Sequence, residues 1–435
     1  MAAERARTGR ALIIAYDHNS FSPLQLAKEI DGLADIVWVV APGDEMLGPL
    51  RELLPRLGRV VEQRGSTEAL VRELALERPA GLVTFSHSQL LRAAVLARAL
   101  GLAFSPPEAI ARCIDKWEQR QAYRRAGLPG PLITPLVVGE NPTALDDLAG
   151  SPFPAVLKPR AGAGSLDTHL VDDLAALARL VHGPEQVSPG AYVLEGYLAG
   201  AETRADTGVA DYVSVESVIS AGAVTHCGIT GKFPLASGFR ETGNFVPSGL
   251  GAREQHEVLA CASAAIAALG LSAGCVHTEI KLTDAGARLI ELNPRVAGGG
   301  ISDLYDMQRG TSLIRLAALA ALGEPVPAAS ADSGVAYQVF VQPPAGARQL
   351  LGLDGIADVA ALPGVEEIYV NRPAGSLVDA GEGSLGYVAF VRGRATDHPA
   401  MLERREEIVA RVQPRYAPVP TTPLVGAGGT EKPVP

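Results

Sequence analysis

The sequence predicts a multidomain protein that combines α/β and α+β architecture. Its 435 residues, of which 47% are hydrophobic, suffice for two to four domains with substantial cores. Strand-like and helix-like runs alternate through residues 11–105, which is typical of a Rossmann-like parallel sheet with helices on both faces. Residues 276–294 instead predict an antiparallel hairpin, and 331–417 a smaller α+β segment. The chain is therefore expected to begin with an α/β unit and to continue in antiparallel units.

Periodicity also predicts the elements between these units. Residues 105–131 predict two short helices closed by Gly127 and Pro129, and 153–171 predict a strand, a glycine loop and a second strand. Helices are expected over 251–270 and 311–322. No GxGxxG motif follows the first strand, so nothing supports a dinucleotide site there. The Pro- and Gly-rich stretch 418–435 is expected to be disordered.

Composition excludes several classes of function. The net charge is −10 and no basic block is present, which disfavours nucleic-acid binding because phosphate neutralisation supplies most of that affinity. Four scattered cysteines without a CxxC pair argue against a zinc site and against a disulfide framework: Cys113, Cys227, Cys261 and Cys275. The longest apolar runs are too short to cross a bilayer. We therefore expect a cytoplasmic protein with neither membrane nor nucleic-acid partners.

The hairpin over "VHTEIKLTDAGARLIELNP" carries the most specific polar pattern. A five-residue loop, TDAGA, would place Leu282 opposite Arg288 and Glu279 opposite Glu291, with one face of the hairpin turned to a core. That core face would hold Ile280, Ile290 and Leu292, and the polar face would hold Leu289 beside the acids. Opposed carboxylates about 5 Å apart at Cβ repel unless a cation lies between them. With Asn293 they would suit Mg²⁺, whereas a solvated face or a one-residue register shift is the simpler alternative.

Three other stretches combine small residues with charges. In "AVLKPRAGAGS", Lys158 ends a strand, and the loop 161–165 would let backbone N–H groups approach a phosphate, unless it is an ordinary flexible turn. In "YVLEGYLAGAE", Glu195 and Glu202 with the strand end would hold adenine and ribose, unless they are surface acids. The long polar loop within 228–250 carries Arg240 and Glu241 and suggests function rather than a plain connection.

Lysine is rare in this chain. Only six of its 38 basic residues are lysine: Lys28, Lys116, Lys158, Lys232, Lys281 and Lys432. GC-rich coding would favour arginine wherever a positive charge only needs solvation. A lysine kept against that bias is a candidate for a compact point charge, such as one facing a phosphate.

In their order along the chain, these motifs resemble the ATP-grasp superfamily. The stretches "GKFP…FRETGNFVPS" and "HTEIKL…LIELNPR" are similar to those of its carboxylate–amine ligases, the branch of bacterial L-amino-acid ligases (bacilysin type) and carnosine synthase. The resemblance covers about 10–417. It implies a pre-ATP-grasp domain over 1–107, an ATP-grasp domain over 108–330 with a lid at about 150–205, and a C-terminal α+β domain over 331–417. Gly231 departs from the pattern, which leads us to expect an acid before Lys232.

The resemblance also implies roles for single residues. Lys116 and Lys158 would contact the nucleotide, the loop 161–165 would cover its phosphates, and the backbone of 193–195 would hold adenine. The implied nucleotide contacts are Lys116, Lys158, Gly162, Gly164, Ser165, Leu194, Glu195, Glu202 and Ile290. The implied ligands of two Mg²⁺ are Glu279, Glu291 and Asn293. The implied catalytic residues are Lys232 and Arg295, and the implied substrate contacts are Arg240, Glu241, Arg295, Gly299 and Gly300.

The implied activity is an ADP-forming ligation of an amino acid, or a similar small carboxylate, to an amine through an acyl phosphate made with MgATP. Two alternatives stay open at this point. One is a carboxylase-like enzyme that activates bicarbonate, and the other is a nucleotide-binding protein without catalysis. Related enzymes are often dimers, so a homodimer is a further expectation.

Overall fold

The computed structural model describes residues 8–139, 142–183, 187–327 and 334–417. The stretch 418–435, expected to be disordered, lies outside these described residues. Among them, no helix has both the length and the apolar character needed to cross a membrane.

The N-terminal unit is the predicted parallel sheet. Its strands pair in the order β3-β2-β1-β4, all parallel. Successive residues of β1 alternate between two cores, with Leu12 and Ile14 on one face and Ile13 and Ala15 on the other. The elements are β1 (Ala11–Ala15), α1 (Pro23–Ile30), β2 (Asp35–Val40), α2 (Leu50–Leu57), β3 (Arg59–Glu62), α3 (Thr67–Ala75), β4 (Pro79–Thr84) and α4 (Leu90–Leu100).

Two short helices and a small antiparallel sheet follow. The helices α5 (Pro107–Ile114) and α6 (Lys116–Arg125) confirm the prediction for 105–131. The sheet, hereafter the lid sheet, has the strand order β5-β8-β6-β7 and packs its apolar face on two helices. Its elements are β5 (Ile133–Val138), α7 (Leu145–Leu148), β6 (Ala155–Pro159), β7 (His169–Val171), α8 (Leu174–His182) and β8 (Gly190–Gly196). The lid sheet thus starts upstream of the predicted boundary of 150.

An eight-stranded antiparallel sheet, hereafter the large sheet, forms the rest of the scaffold with the order β13-β12-β9-β10-β11-β14-β17-β16. Helix α9 packs on its β12–β13 end. The elements are β9 (Tyr212–Ser220), β10 (Ala223–Lys232), β11 (Gly243–Val246), α9 (Ala252–Leu269), β12 (Gly274–Thr283), β13 (Gly286–Asn293), α10 (Ile301–Arg309), α11 (Leu313–Ala321), β14 (Val335–Val341), β15 (Leu350–Asp354), α12 (Ile356–Ala360), β16 (Val365–Val370), β17 (Ala389–Ala395), α13 (His398–Arg411) and β18 (Gln413–Tyr416). This mixture of one parallel and several antiparallel sheets confirms the predicted fold class.

The units share both a sheet and a core. β14 pairs with β11, so the large sheet runs through the boundary predicted at 330. In the same way α11 packs on α1 and β4, and its Ile314 joins Leu12 in one hydrophobic core. The division into three domains therefore stays a prediction, because sheet hydrogen bonds cross the boundary at 330 and apolar packing crosses the boundary at 107.

The hairpin differs from the prediction in its loop. β12 ends at Thr283 and β13 begins at Gly286, so Leu282 lies opposite Ala287, not Arg288. A register shift at Ile290 then restores the predicted pairing of Glu279 with Glu291. The same shift buries Leu289 in the core, whereas the predicted core residue Ile290 is only half-buried. The prediction of the acidic pair is confirmed, although two local assumptions behind it were wrong.

Candidate active site

One cleft of about 2820 Å³ lies between the N-terminal sheet, the lid sheet and the large sheet. Most residues proposed from the sequence line it, although they come from distant parts of the chain. They are Lys116, Lys158, Gly162, Gly164, Ser165, Glu195, Glu202, Lys232, Glu241, Glu279, Ile290, Glu291, Asn293, Arg295, Gly299 and Gly300. Leu194 and Arg240 do not line the cleft.

The acidic pair lies at the end of the hairpin, where β12 meets β13. Glu279 and Glu291 are directly opposed, and Asn293 donates from Nδ2 to Glu291 Oε1 over 3.0 Å. The other side-chain atom of Asn293, Oδ1, is buried and has no hydrogen-bond partner within the described chain. The site thus presents two carboxylates and one amide oxygen that still lacks a donor or a cation.

A buried histidine stabilises the ionised form of Glu279. His277 lies between two acids, with Nδ1 3.0 Å from Glu216 Oε1 and Nε2 3.3 Å from Glu279 Oε1. Burial would raise the pKa of Glu279, but the hydrogen bond and charge of His277, with the charge of Lys232, lower it to about 2. Burial would lower the pKa of His277, but Glu216 raises it to about 9. Glu279 is therefore a carboxylate at neutral pH.

This donor set fits magnesium better than a soft metal. Where the structure describes the chain, no three or more His, Cys, Asp or Glu side chains converge on one metal position. Two carboxylates and an amide oxygen leave coordination positions for water and phosphate, which is the arrangement that Mg²⁺ favours. The unpartnered oxygen of Asn293 is the observation that supports this fit.

Lys116 connects the acidic pair to the glycine loop. It is the first residue of α6, whose N-cap Asp115 accepts from the Trp117 N–H. Its Nζ donates to the Gly162 carbonyl over 3.0 Å and lies 3.4 Å from Glu291 Oε2. A compact cation is thus held between the expected phosphate loop and the expected metal site, as the rarity of lysine suggested.

Lys158 and Glu195 form a buried ionic cluster with Arg120. Glu195 Oε2 lies 2.7 Å from Lys158 Nζ, and Glu195 Oε1 accepts from Arg120 Nε over 2.8 Å. Arg120 also donates to the carbonyl of Ile290 over 2.6 Å. Burial would raise the pKa of Glu195, but its two cationic partners lower it to about 2. Glu195 therefore holds Lys158 at the cleft wall, and its carboxylate is not available to adenine or ribose.

Replacing Arg120 by methionine should destabilise the protein by about 3 kcal/mol, because removing one partner leaves a buried charge undercompensated. The change also leaves the Ile290 carbonyl without its donor. Denaturant-induced unfolding would measure it. Arg125→Met, on the exposed end of the same helix, is the matched control and should change stability little. Equal effects of the two substitutions would contradict the buried cluster.

The same cluster predicts an acid dependence of stability. The ordinary pKa of Glu195 is 4.5 and its value in the fold is about 2, so its contribution is complete above about pH 4.5. The contribution is lost as the pH falls toward 2. Comparing unfolding free energies of the wild type and Glu195→Gln between pH 2 and pH 6 isolates this residue from other carboxylates. The difference between the two proteins should shrink with acid; a constant difference would contradict the shift.

The fold contradicts the expected adenine contact of Leu194. The side chain of Leu194 lies in the lid core, and its backbone sits in a central strand paired on one side with Thr134 and on the other with Leu157. This backbone is therefore not free to hold adenine; the chain that leaves the strand, at Tyr197 and Leu198, lines the cleft instead. Glu202 is exposed at the rim.

The side chain of Arg240 stabilises the loop in which it lies. Its guanidinium donates to the carbonyls of Pro343, over 2.7 Å, and Ser237, over 2.9 Å, and the side chain is buried away from the cleft. The expected substrate contact is therefore wrong for Arg240. Its neighbour Glu241 does reach the cleft and forms an ion pair of 2.7 Å with Lys232.

The fold also explains why glycine precedes Lys232. A Cβ atom at Gly231 would lie 2.2 Å from Cε2 of Phe245 on the neighbouring strand. An acid is thus excluded at this position unless the Phe245 ring moves. Lys232 itself is fully buried, and the charges of Glu241 and Glu279 outweigh burial and raise its pKa.

Arg295 follows the acidic pair and opens the glycine run. Its guanidinium lies in the field of Glu291, Glu279 and Glu216, although burial lowers its pKa. The run continues to Gly299 and Gly300, both with positive φ (61° and 73°), before α10 begins. A cation and a glycine backbone therefore lie side by side at the cleft.

Sequence reasoning missed several residues that line the cleft, and also Glu216, which contacts the cleft residue His277. Glu216 lies within the apolar run "YVSVESVIS", and only the pairing of β9 with β12 brings it to His277. His87 follows β4, lines the cleft and has a pKa lowered to about 4, by burial and by the charge of Arg295. The sequence did offer a signal for His87, since a polar residue just after a strand of a parallel sheet is a candidate for a ligand site. Four aromatic residues from the C-terminal segment also line the cleft: Phe340, Tyr369, Tyr387 and Phe390.

Comparison with known proteins agrees with this geometry. Residues 151–303 match the family described as the ATP-grasp domain. The chain contains an ATP-grasp domain. The predicted ATP-grasp domain is thereby confirmed for these residues, and the matched segment includes Lys158, both acids of the pair and Arg295.

Proteins similar in sequence to this chain include carnosine synthases. Carnosine synthase 1 of Gallus gallus is 30% identical over 61% of this chain, and that of Mus musculus is 28% identical over 56%. The matches span only 30% and 31% of those longer proteins. Among solved structures, L-amino acid ligase from Bacillus licheniformis superimposes with a TM-score of 0.73 at 20% identity, covering 96% of this chain and 100% of the other. The likeness to the solved ligase shows a shared fold over nearly the whole length of both chains.

Proposed function

We propose that this protein is an ADP-forming carboxylate–amine ligase. It would activate an amino acid or a similar small carboxylate with MgATP and join it to an amine. The observation that carries the proposal is the convergence, in one cleft, of the Glu279–Glu291 pair with Lys116, Lys158 and Arg295. The resemblance to L-amino acid ligase and carnosine synthase supports the carboxylate–amine class. The homodimer stays a prediction.

The first step would be phosphoryl transfer. A carboxylate oxygen of the donor attacks the γ-phosphorus, a new O–P bond forms, and the bond to ADP breaks. Mg²⁺ held by Glu279, Glu291 and Asn293 would neutralise charge on the phosphate oxygens. Lys116 and Lys158 would hold the nucleotide phosphates, and Arg295 the transferred group. Positioning and charge neutralisation are the main demands of this step.

The second step would form the amide. The amine nitrogen attacks the acyl carbon, phosphate leaves with the bonding electrons, and the nitrogen loses a proton. Water must be kept out, because an acyl phosphate hydrolyses. The glycine loop already touches the C-terminal segment, since the Ser384 N–H donates to the Gly164 carbonyl over 3.0 Å. A glycine loop held against the C-terminal segment in this way supports a ligase that protects a reactive intermediate.

A screen for ADP release tests the proposal. Amino acids would be offered singly and in pairs with MgATP, and products identified by mass spectrometry. A donor-dependent release of ADP, coupled to an amide product when an amine is present, is the expected result. ADP release that requires bicarbonate would favour a carboxylase-like enzyme. No metal-dependent turnover with any carboxylate would overturn the ligase proposal.

A further inference from the structure

The carbonyl of Gly299 is held by two buried amide side chains. Asn244 donates from Nδ2 over 3.3 Å and Gln338 from Nε2 over 3.2 Å. Asn244 lies on β11 and Gln338 on β14, the strands that join the two parts of the large sheet. Both side chains are almost fully buried, at 0% and 1% exposure. Two donors on one carbonyl fix the peptide between Gly299 and Gly300 from the sheet side.

The orientation of Gln338 is set by its second contact. Its Oε1 accepts from Arg392 Nε over 2.8 Å, and an arginine nitrogen can only donate. The amide nitrogen of Gln338 must therefore face Gly299. Arg392 is itself anchored by Asp303 in the first turn of α10, over 2.9 Å, and by Glu367 on β16, over 2.8 Å. The glycine run is thus tied to strands of the C-terminal segment.

The two hydrogen bonds to the Gly299 carbonyl also determine the direction of the Gly300 N–H. In a trans peptide the C=O of Gly299 and the N–H of Gly300 point in opposite directions, so the N–H points away from the two amides. None of the N–H groups of Gly298, Gly299 and Gly300 has an acceptor among the residues that the structure describes. All three glycines line the cleft beside Arg295. Backbone donors left free in this way are suited to an anion.

No residue larger than glycine fits at position 300. A Cβ atom at Gly300 would lie 2.3 Å from Gln338 Oε1 and 2.9 Å from Arg392 Nη2, and its φ is +73°. Gly300 and Gln338 therefore fit each other as a pair.

We propose that Gln338, with Asn244 and Arg392, is a positioning residue that aims the backbone N–H groups of the glycine run at the acyl phosphate. The inference rests on the proposed ligase function. It assigns the C-terminal segment a role in the chemistry of the cleft, through a side chain that holds the Gly299 carbonyl. Donors oriented in advance stabilise developing negative charge without reorganisation.

Gln338→Glu tests the proposal with little change in shape. The carboxylate still accepts from Arg392 but cannot donate to the Gly299 carbonyl, and it repels that oxygen. We expect kcat for amide formation to fall roughly 10- to 100-fold, with the KM for ATP within about twofold of the wild type. The fraction of ADP released without amide should rise, because the acyl phosphate is held less well. Gln349→Glu is the matched control, since Gln349 Nε2 donates to the Gly375 carbonyl over 3.0 Å outside the cleft.

A second variant keeps the test decisive if Gln338→Glu does not fold. Arg392→Lys loses the planar guanidinium that contacts both Gln338 and Asp303. It should also raise the fraction of ADP released without amide, but by less than Gln338→Glu does. Wild-type rate and coupling in a folded Gln338→Glu or Arg392→Lys protein would overturn the positioning role. A fall in kcat accompanied by an equally large rise in the KM for ATP would also overturn it. If the wild type itself forms no amide, the proposed function fails instead, and the two failures are thereby distinguished.

Discussion

Replacing Glu291 by glutamine should abolish Mg²⁺-dependent ADP release, with a loss of roughly 100-fold or more. The substitution keeps the size of the side chain but removes one of the two opposed carboxylates and the charge that faces Lys116. Initial rates of ADP formation over a range of Mg²⁺ concentrations would measure the effect. Higher Mg²⁺ should restore little activity, because a ligand is missing.

The control for this experiment is Glu257→Gln. Glu257 lies on α9 and is partly exposed, and its one ion pair within the described residues is with Arg253 one turn away, over 3.1 Å. Its substitution removes the same charge from the same chain and should leave the rate unchanged. A Glu291→Gln protein that turns over ATP as fast as this control would rule out the proposed metal site.

Lys158→Ala should remove ATP turnover while the fold is retained. Lys158 is the last residue but one of β6, at the cleft wall, and is held by Glu195 over 2.7 Å, so the substitution removes a charge that the fold holds in place. We expect a fall of about 100-fold in kcat/KM for ATP. Nucleotide binding, measured by calorimetry, should weaken in parallel.

Two comparisons make the result specific. Lys28→Ala removes an exposed lysine on α1 that does not line the cleft, and should have no effect on turnover. Thermal unfolding of Lys158→Ala should stay cooperative, because Arg120 continues to pair with Glu195. Unchanged turnover in a folded Lys158→Ala protein would exclude the assignment of this lysine to the nucleotide.

Local pattern was sufficient to predict the acidic pair and its partners. Glu279 and Glu291 fall on one face because side chains alternate along strands, and the lysines stood out because the chain contains so few. The pairing held although the loop is shorter than predicted. The register shift at Ile290 offsets that error, and no pattern within the hairpin signals such a shift.

The residues that sequence reasoning missed act over long distances along the chain. Glu216 meets His277 only because β9 and β12 are neighbours, and Gln338 meets Gly299 only because β14 joins β11. Each lies in an apolar strand, where a single polar residue resembles an ordinary interruption. Leu194 was misplaced for the opposite reason, since a strand that is paired on both sides has no free backbone to offer.

The continuity of the large sheet limits how this protein can be shortened. A chain cut before β14 would leave β11 as an edge strand with unsatisfied hydrogen-bonding groups, and it would uncover Phe233 and Phe245, now buried against Tyr337 and Val339. Such fragments tend to associate edge to edge. We therefore expect expression of residues 1–327 alone to yield aggregates instead of a minimal catalytic unit.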